Sequence, residues 1–600
     1  MKIAAFYIPQ DHLPFIFGDN HEPLIINFGG KNIYHLDGEY VTASENRYFI
    51  DDLLSDSIDL FSCIVGNNGG GKTTLLHQIS NGYGYKYIME KDNGDWELSD
   101  GIESVHRVYF TPYLNHSTFD EVTNNSKDLS KLALLKLDNH GDQGLFEEFL
   151  DAHNSETVKR WVEFNDFYST LGLKEIPLPI FEKVEIELNH FENNIHKPRN
   201  YHDTSSQLTS ALTQLFEKIS EEGDAREIEA GRGKKITNRE AEKISVLVRF
   251  EYALYETALG KFVLSLERAG NKYLEEGYIS EDYHEKISSL EVRYAMQWFF
   301  ENAGVFKGEE KHSFANYLSL FDLIDYIISI HDDDSITDNW RKINVYNDQA
   351  LMIMRLYNVF NNSFIGNWFN YVEKPMFRFR PDMVISSGEQ SFLNLFSTLY
   401  YHAENIKNGV DIDLHSSASL EYINDKVLLL IDEGDNAFHP QWKKEYVKYL
   451  RQILPLIFSG YKLQVIITSH DPLTLSDLPK NNVIFLEKMS SFTVLGQPNY
   501  RRTFGANISD LFKDTFFMKD GQIGSFVAGV IGDVISDIKT RSLDPGRVQE
   551  IRRLINCIDE PIIKFKLGEM LSEATDDKSL EKQLIDEEII RLQERRNRIQ

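Results

Sequence analysis

At 600 residues the chain has room for three or four domains, or for fewer with a large insertion. Its 63 Lys and Arg stand against 93 Asp and Glu, a formal net charge of −30, which argues against long-range attraction of nucleic acid by the molecule as a whole and leaves any such contact to a local basic patch or a partner. The two cysteines, Cys63 and Cys557, are too few for a disulfide framework and lack metal-ligand spacing, which fits a reducing cytoplasm, and no uncharged apolar run reaches the ~18 residues of a helical membrane span.

The chain opens on Met1–Ile8, whose short apolar run soon meets Pro9, Gln10 and Asp11 and reads as a strand, not a signal peptide. Leu24–Phe28 before Gly29-Gly30, then Tyr34 and Tyr40-Val41, continue as strands, with loop composition at Asn46 and Asp51. A small antiparallel sheet leading into a nucleotide-binding core is expected. The apolar run Leu60–Val65, in which Cys63 is expected to pack, leads into Gly66-Asn67-Asn68-Gly69-Gly70-Gly71-Lys72-Thr73-Thr74, a full G-x-x-x-x-G-K-[ST] match. In such a loop successive backbone N–H groups converge on phosphate oxygens, Lys72 reaches the β- and γ-phosphates, the Thr73 hydroxyl binds Mg²⁺, and the helix opening at Lys72 adds its positive end. Taken alone, the match also suits an ordinary glycine-rich turn. Two further strands are expected at Tyr85–Met89 and Val105–Phe110, the second ending at Thr111-Pro112.

From 113 to 376 the texture changes to polar segments of helical period. Ile244, Leu247, Val248, Tyr255, Ala258 and Phe262 mark an amphipathic helix across Arg239–Gly270, and others are expected at Leu145–Asn165, Gln207–Ile219, Asp282–Phe300 and Phe314–Ile330. Their stripes read as core. Gly231–Lys235 is a basic island, either a solvated loop between helices or a contact for a phosphate backbone. Histidines 140, 153, 190, 196 and 202 lack zinc or H-N-H nuclease spacing and read as surface or cap residues.

Three later segments strengthen the phosphate-loop reading. Val384–Gln390 carries Ser386-Ser387-Gly388-Glu389 at the start of a helix over Ser391–His402, a second anion site at a helix end. Val427–Glu433 is an apolar run ending in two carboxylates, as for a parallel strand buried on both faces; Asp432 there can hold Mg²⁺ and Glu433 can act as general base on water. Leu463–His470 repeats the design and ends in His470, placed to meet the γ-phosphate and the attacking water.

In order and kind these four segments resemble the phosphate loop, signature, Walker B strand and switch histidine of ABC-type ATPases. The variant S-S-G-E-Q is similar to that of the soluble SMC, RecF and OLD-like branch. The resemblance covers Met1–Phe110 and Phe377–Lys488 and implies an α/β, ABC-type ATPase head with a mixed sheet flanked by helices: an N-terminal lobe over 1–112, a large α-helical insertion over 113–376, a C-terminal lobe over 377–490, and a helical interaction region over 491–600. It further implies ATP and Mg²⁺ as ligands and a homodimer or higher homo-oligomer in which Ser386-Ser387-Gly388 of one copy closes on ATP held by Lys72 of the other. Two departures stand out. No glutamine follows Val105–Phe110, where Thr111-Pro112 stand instead, and His439 occupies the position of the aspartate that transporters carry after the Walker B strand.

Without a membrane segment, transport is not expected, and the insertion is too broken by Pro177-Leu178-Pro179 and Gly231–Gly233 for a continuous coiled coil. The arrangement resembles the PtuA-type ATPases of the Septu anti-phage system and their retron-associated relatives. That implies a cytoplasmic ATPase controlling a separate HNH-type nuclease and, in retron-associated systems, acting with a reverse transcriptase and its nucleic acid. The alternatives are a RecF/SMC-like repair ATPase that clamps DNA directly, and an OLD-like nuclease, although Phe517–Ile558 reads as amphipathic helices without spaced acidic metal ligands. The last stretch, Lys578–Gln600, is a charge-laced helix with Leu580, Leu584, Ile585, Glu588 and Leu592 along one side and Arg591, Arg595, Arg596 and Arg598 at its end. It is either a solvated terminal helix or a docking face for a partner subunit.

Overall fold

Apolar runs bounded by turns build the central sheet, whose strands are β1 (Ile58–Gly66), β2 (His106–Phe110), β3 (Ser126–Asp128), β4 (Lys426–Asp432), β5 (Lys462–Thr468), β6 (Val483–Lys488) and β7 (Thr493–Leu495). In the computed structural model they lie in the order β7-β6-β1-β5-β4-β2-β3, parallel throughout except for the β6–β7 hairpin. Residues 2–599 are described apart from 20, 38–39, 52, 54, 82–84, 103–104, 115–125, 139–145, 173–175, 177, 192–206, 232–237, 270–276, 308, 315, 333–334, 336, 338, 362, 364–374, 409–424, 497–500, 510, 512–523 and 541–542. The chain forms two units, Met1–Leu511 and Phe512–Gln600.

The fold class is mixed α/β. Strands β1, β4 and β5 are buried almost throughout, because both faces of a parallel sheet are covered and every residue must be apolar or paired. Cys63 lies fully buried in β1, as its apolar neighbours imply. The register sets Asp432 beside Thr468 and Thr468 beside Ile64, so β1, β5 and β4 finish at one edge. Three helices matter to that edge: α1 (Lys72–Asn81), α2 (Ser387–Lys407) and α3 (Pro440–Ile457). At the far end of α1, the buried Arg107 guanidinium of β2 donates to the carbonyls of Ser80 and Asn81 at 2.7 and 3.3 Å, meeting the negative end of the helix dipole.

An N-terminal antiparallel sheet is present in the order Leu24–Asn27, Lys2–Ile8, Lys86–Glu90, Trp96–Ser99, whereas the strands expected at Tyr34 and Tyr40-Val41 form a separate two-stranded sheet, Asn32–Asp37 with Tyr40–Glu45. Phe6, Ile26, Phe28 and Tyr87 of this region share one apolar core with Leu60, Leu75 and Leu428.

Between the two halves of the central sheet the expected helices are found at Phe146–Leu171, Gln207–Gly231, Asn238–Ala269 and Leu318–Ile330, while Asp282–Phe300 divides into Tyr283–Ser289 and Val292–Asn302. The purely helical expectation for 113–376 is corrected, since the region also holds strands. Lys342–Tyr346, Lys183–Leu188 and Phe377–Pro381 form one antiparallel sheet, and Tyr278–Ile279, Ala303–Lys307 and Glu310–Ser313 another. The alternation of Val184, Ile186 and Leu188 with charged neighbours is a period-two signal that the surrounding helical texture masked. His153 is also corrected from surface to half-buried: its Nδ1 lies 2.7 Å from Asp138, which in turn holds the buried Arg160 at 2.8 Å. His190 is exposed. Histidines 140, 196 and 202, Pro177 and the basic island around 232–235 lie outside the described residues.

The helix Phe146–Leu171 packs on α2, where Trp161 donates to the Asn394 side chain at 2.9 Å and the rings of Phe167 and Tyr400 stack at 4.5 Å. On its other side α2 meets the sheet through His402, whose Nε2 lies 3.0 Å from Nε2 of His106 on β2. Both rings are buried, and neither Nδ1 has a hydrogen-bond partner among the described residues.

The second unit contains helices Ser525–Thr540, Pro545–Cys557, Pro561–Thr575 and Ser579–Ile599 around a core of Val534, Ile538, Ile551, Ile555, Leu567 and Leu571. Leu580 and Leu584 are buried in that core, so these two leucines are structural and do not form a free docking face. The side chains of Arg591, Leu592, Arg595 and Arg598 lie outside the described residues. Among the described residues no helix is long and apolar enough to cross a membrane.

The histidine pair generates a pH prediction. Burial, then the charge of Arg107, then that of Lys127, lowers His106 to about 4, and burial likewise lowers His402. An unfolded histidine titrates near ~6.5, so between that value and about 4 the unfolded chain takes up protons that the folded pair refuses, and stability falls as pH falls. Thermal midpoints taken at pH 7.5 and pH 5 should therefore differ by less, by roughly a few degrees, in His106→Gln than in the wild type.

Candidate functional site

At the end of β1 the chain turns through Gly66–Gly71 into α1. A Cβ at Gly66 would stand 2.5 Å from the Leu486 carbonyl of β6, so only glycine lets the two strands approach there. Gly69 and Gly71 have φ of +71° and +87°, the left-handed region glycine adopts without strain. Asn67, Asn68 and Gly69 are exposed, Gly70 donates to the Asn67 carbonyl at 3.0 Å, and Thr74 is half-buried in the first turn of α1. The Lys72 ammonium is buried and donates to the Gly66 carbonyl at 3.3 Å. Burial pushes it below the usual lysine range, against the pull of Glu433 and Asp432.

The Thr73 hydroxyl donates to the Asp432 carboxylate at 2.7 Å. Asp432 is buried and also accepts from Thr468 at 2.5 Å and from the Tyr109 phenol at 3.3 Å. Its neighbour Glu433 has φ +50°, an uncommon conformation for a residue with a side chain and one that persists only where the surroundings enforce it. Here the Glu433 N–H donates to the Thr468 hydroxyl at 2.9 Å, and the Glu433 carboxylate lies 3.0 Å from His470 Nε2. The hydrogen bond from His470 is the main reason the Glu433 carboxyl sits below the usual carboxylate range, with the Tyr113 phenol and Lys72 adding to it against burial.

Around this pair the following loop is fixed. Asp435 is buried, accepts from Ser469 at 2.6 Å and Thr474 at 3.2 Å, and is pushed up by desolvation. Lys443 of α3 holds Asp471, the residue after His470, at 3.2 Å. His439 caps α3, its Nδ1 accepting from Gln441 N at 3.3 Å.

Ser386 is the N-cap of α2 in a reciprocal capping box: Glu389 N donates to its hydroxyl at 3.4 Å, and the Glu389 carboxylate accepts from Ser386 N at 2.8 Å. Glu389 is thus occupied in holding the helix end. Ser386 and Ser387 are exposed and Gly388 half-buried, with its Cβ position 3.2 Å from the Ala437 carbonyl. Within one chain no hydrogen bond or ion pair among the described residues joins Ser386–Glu389 to Gly66–Thr74. Lys72, Thr73, Asp432, Glu433 and His470 are brought together; the serine-glycine helix cap stands apart and open.

Two tyrosines escaped the sequence reading. Tyr113 follows Thr111-Pro112, where the expected glutamine is missing, and its phenol hydrogen-bonds Glu433; burial and then the Glu433 charge push the phenol up to about 12. Tyr109 contacts Asp432 as described. The signal for Tyr113 was its place just beyond the end of β2, the neighbour of β4; that for Tyr109 was a polar tip within a buried run.

Chemically, the site offers backbone donors and a buried ammonium for phosphate, and an ionised carboxylate poised to take a proton. The Thr73 hydroxyl and Asp432 carboxylate form a hard-oxygen set suited to Mg²⁺, which favours few protein ligands and retained water. Among the described residues no group of three or more His, Cys, Asp and Glu side chains forms a separate metal cluster. No protein-family model matches the chain, and no curated protein matches it.

The crowding at Gly66 has a measurable cost. Gly66→Ala should lower the thermal midpoint of the nucleotide-free protein, the strain being about 1–3 kcal/mol as for other overpacked sites, because the contact is with backbone that cannot swing aside.

Proposed function

We propose that the chain binds and hydrolyses ATP as a soluble ABC-type ATPase of the SMC, RecF and OLD-like branch. One observation carries the reading: Thr73, at the start of the helix after the glycine loop, and Asp432, 359 residues away, meet at 2.7 Å with Glu433 and His470 alongside. A glycine-rich turn serving only as a turn has no need of that company.

In this reading the loop N–H groups and the Lys72 ammonium bind the triphosphate. Thr73 and Asp432 would hold Mg²⁺, which when bound neutralises phosphate charge. Glu433 accepts the proton of the attacking water, and His470 orients both. Tyr113, hydrogen-bonded to the same carboxylate, helps keep it ionised where transporters use a glutamine nearby. The exposed Ser386 and Ser387 complete the site of a second copy, so that hydrolysis requires a homodimer or higher homo-oligomer closed around ATP.

The biological setting rests on the arrangement of the chain, an ABC-type head interrupted by a large lobe too broken for a continuous coiled coil, which resembles that of Septu and retron-associated anti-phage ATPases. We therefore assign the chain to such a complex, where its nucleotide state controls a partner HNH-type nuclease. Retron-associated assemblies add a reverse transcriptase and its nucleic acid.

Lys72→Ala should abolish ATP binding in a titration. Glu433→Gln should keep binding, lower turnover by roughly 10²–10⁴-fold, and accumulate an ATP-bound dimer in sedimentation analysis. Wild-type turnover by Glu433→Gln would remove Glu433 as the base. Tyr113→Phe takes one hydrogen bond from a carboxylate whose pKa is depressed, so Glu433 should protonate at higher pH and the acid limb of the pH–rate profile should move upward.

A further inference from the structure

The β6–β7 hairpin brings a second cation to the glycine loop. Lys488 is the last residue of β6 and is exposed. Its ammonium nitrogen lies 2.8 Å, and its Cε 3.9 Å, from where a Cβ on Gly69 would stand. The adjacent carboxylate, Glu487, is held by Arg501 at 2.5 Å, and the Lys488 ammonium has no hydrogen bond or ion pair among the described residues.

The hairpin is braced against the loop at two points. Thr493 of β7, the register partner of Lys488, donates to the Gly70 carbonyl at 3.3 Å, and the Leu486 carbonyl abuts Gly66. The backbone that carries Lys488 is therefore fixed relative to the loop, and only its flexible stem moves. Lys72, by contrast, is buried and faces two carboxylates, Asp432 and Glu433, whose charge already opposes its own. A polyphosphate adds several more negative charges at the same place, and an unpaired ammonium at its rim is what such a ligand lacks from Lys72 alone.

We propose that Lys488 is a second phosphate-binding lysine of the nucleotide site, reaching the polyphosphate over the bare Cα of Gly69. The assignment rests on the ATP-binding reading above. It gives Gly69 a purpose beyond its turn conformation, because a side chain there would stand in the path of the ammonium.

The test is ATP titration, with Mg²⁺ present, at low and moderate salt for wild type, Lys488→Met and Lys488→Arg, with thermal midpoints of the nucleotide-free proteins as a control. Lys488→Met keeps the stem and removes the charge; it should leave the midpoint unchanged, weaken ATP binding by about tenfold and flatten its salt dependence. Lys488→Arg should retain most of the affinity. Wild-type affinity and salt dependence in Lys488→Met would overturn the assignment and leave the ATPase reading standing. A folded wild type that binds no ATP would overturn both.

Discussion

The meeting of the Thr73 hydroxyl with the Asp432 carboxylate is the contact on which the candidate site depends. It exists because two parallel strands that are distant in sequence end at one edge, with β5 between them. Thr468 of that intervening strand bonds both Asp432 and the Glu433 N–H, so one hydroxyl fixes the acidic pair in place and holds Glu433 in its left-handed turn. Regular secondary structure supplies the edge, and three hydroxyl groups, on Thr73, Thr468 and Tyr109, supply the alignment. Hydrogen-bond donors of this kind are what a buried carboxylate requires in a low-dielectric interior.

Polar residues inside the core perform the joining elsewhere too. Arg107 lies fully buried beneath the end of α1, Glu90 accepts from the backbone of Lys31 and Asn32 and from the Tyr34 phenol, and Asp138 binds Arg160 and His153. Each ties together segments that are far apart in the chain or in different elements. Leaving such a group without its partner costs more than the bond itself contributes, so these networks restrict how the elements can be rearranged.

Much of the central sheet was legible because its physics is local. A run such as Val427–Ile431 has no polar face, so it must be buried on both sides, and the carboxylates after it must lie at the strand's end. The glycine-rich turn was legible from its spacing, but its place beside Asp432, Glu433 and His470 only from the later apolar runs that end in those residues. The strands Lys183–Leu188 and Lys342–Tyr346 were not, since each is short, lies among long helices, and pairs with a partner well over a hundred residues distant. Tyr113 was invisible for a different reason: its role depends on which strand neighbours β4, a fact of topology and not of composition. Leu580 and Leu584 show the converse case, where part of an apolar stripe on a terminal helix is satisfied by its own unit's core while Ile585 stays exposed.

The segment leading into α2 links the halves of the larger unit. Phe377–Pro381 is hydrogen-bonded into the sheet of Lys183–Leu188, Asp382 N still donates to the Lys183 carbonyl at 3.1 Å, and only three more residues precede the Ser386 cap. Trp161 and Phe167 grip the same helix along its length. The serine-glycine tip is therefore not free to slide along its axis by itself, and any tilt that it makes is shared by the helix Phe146–Leu171 and the sheet of Lys183–Leu188, which act toward it as a tiller toward a rudder.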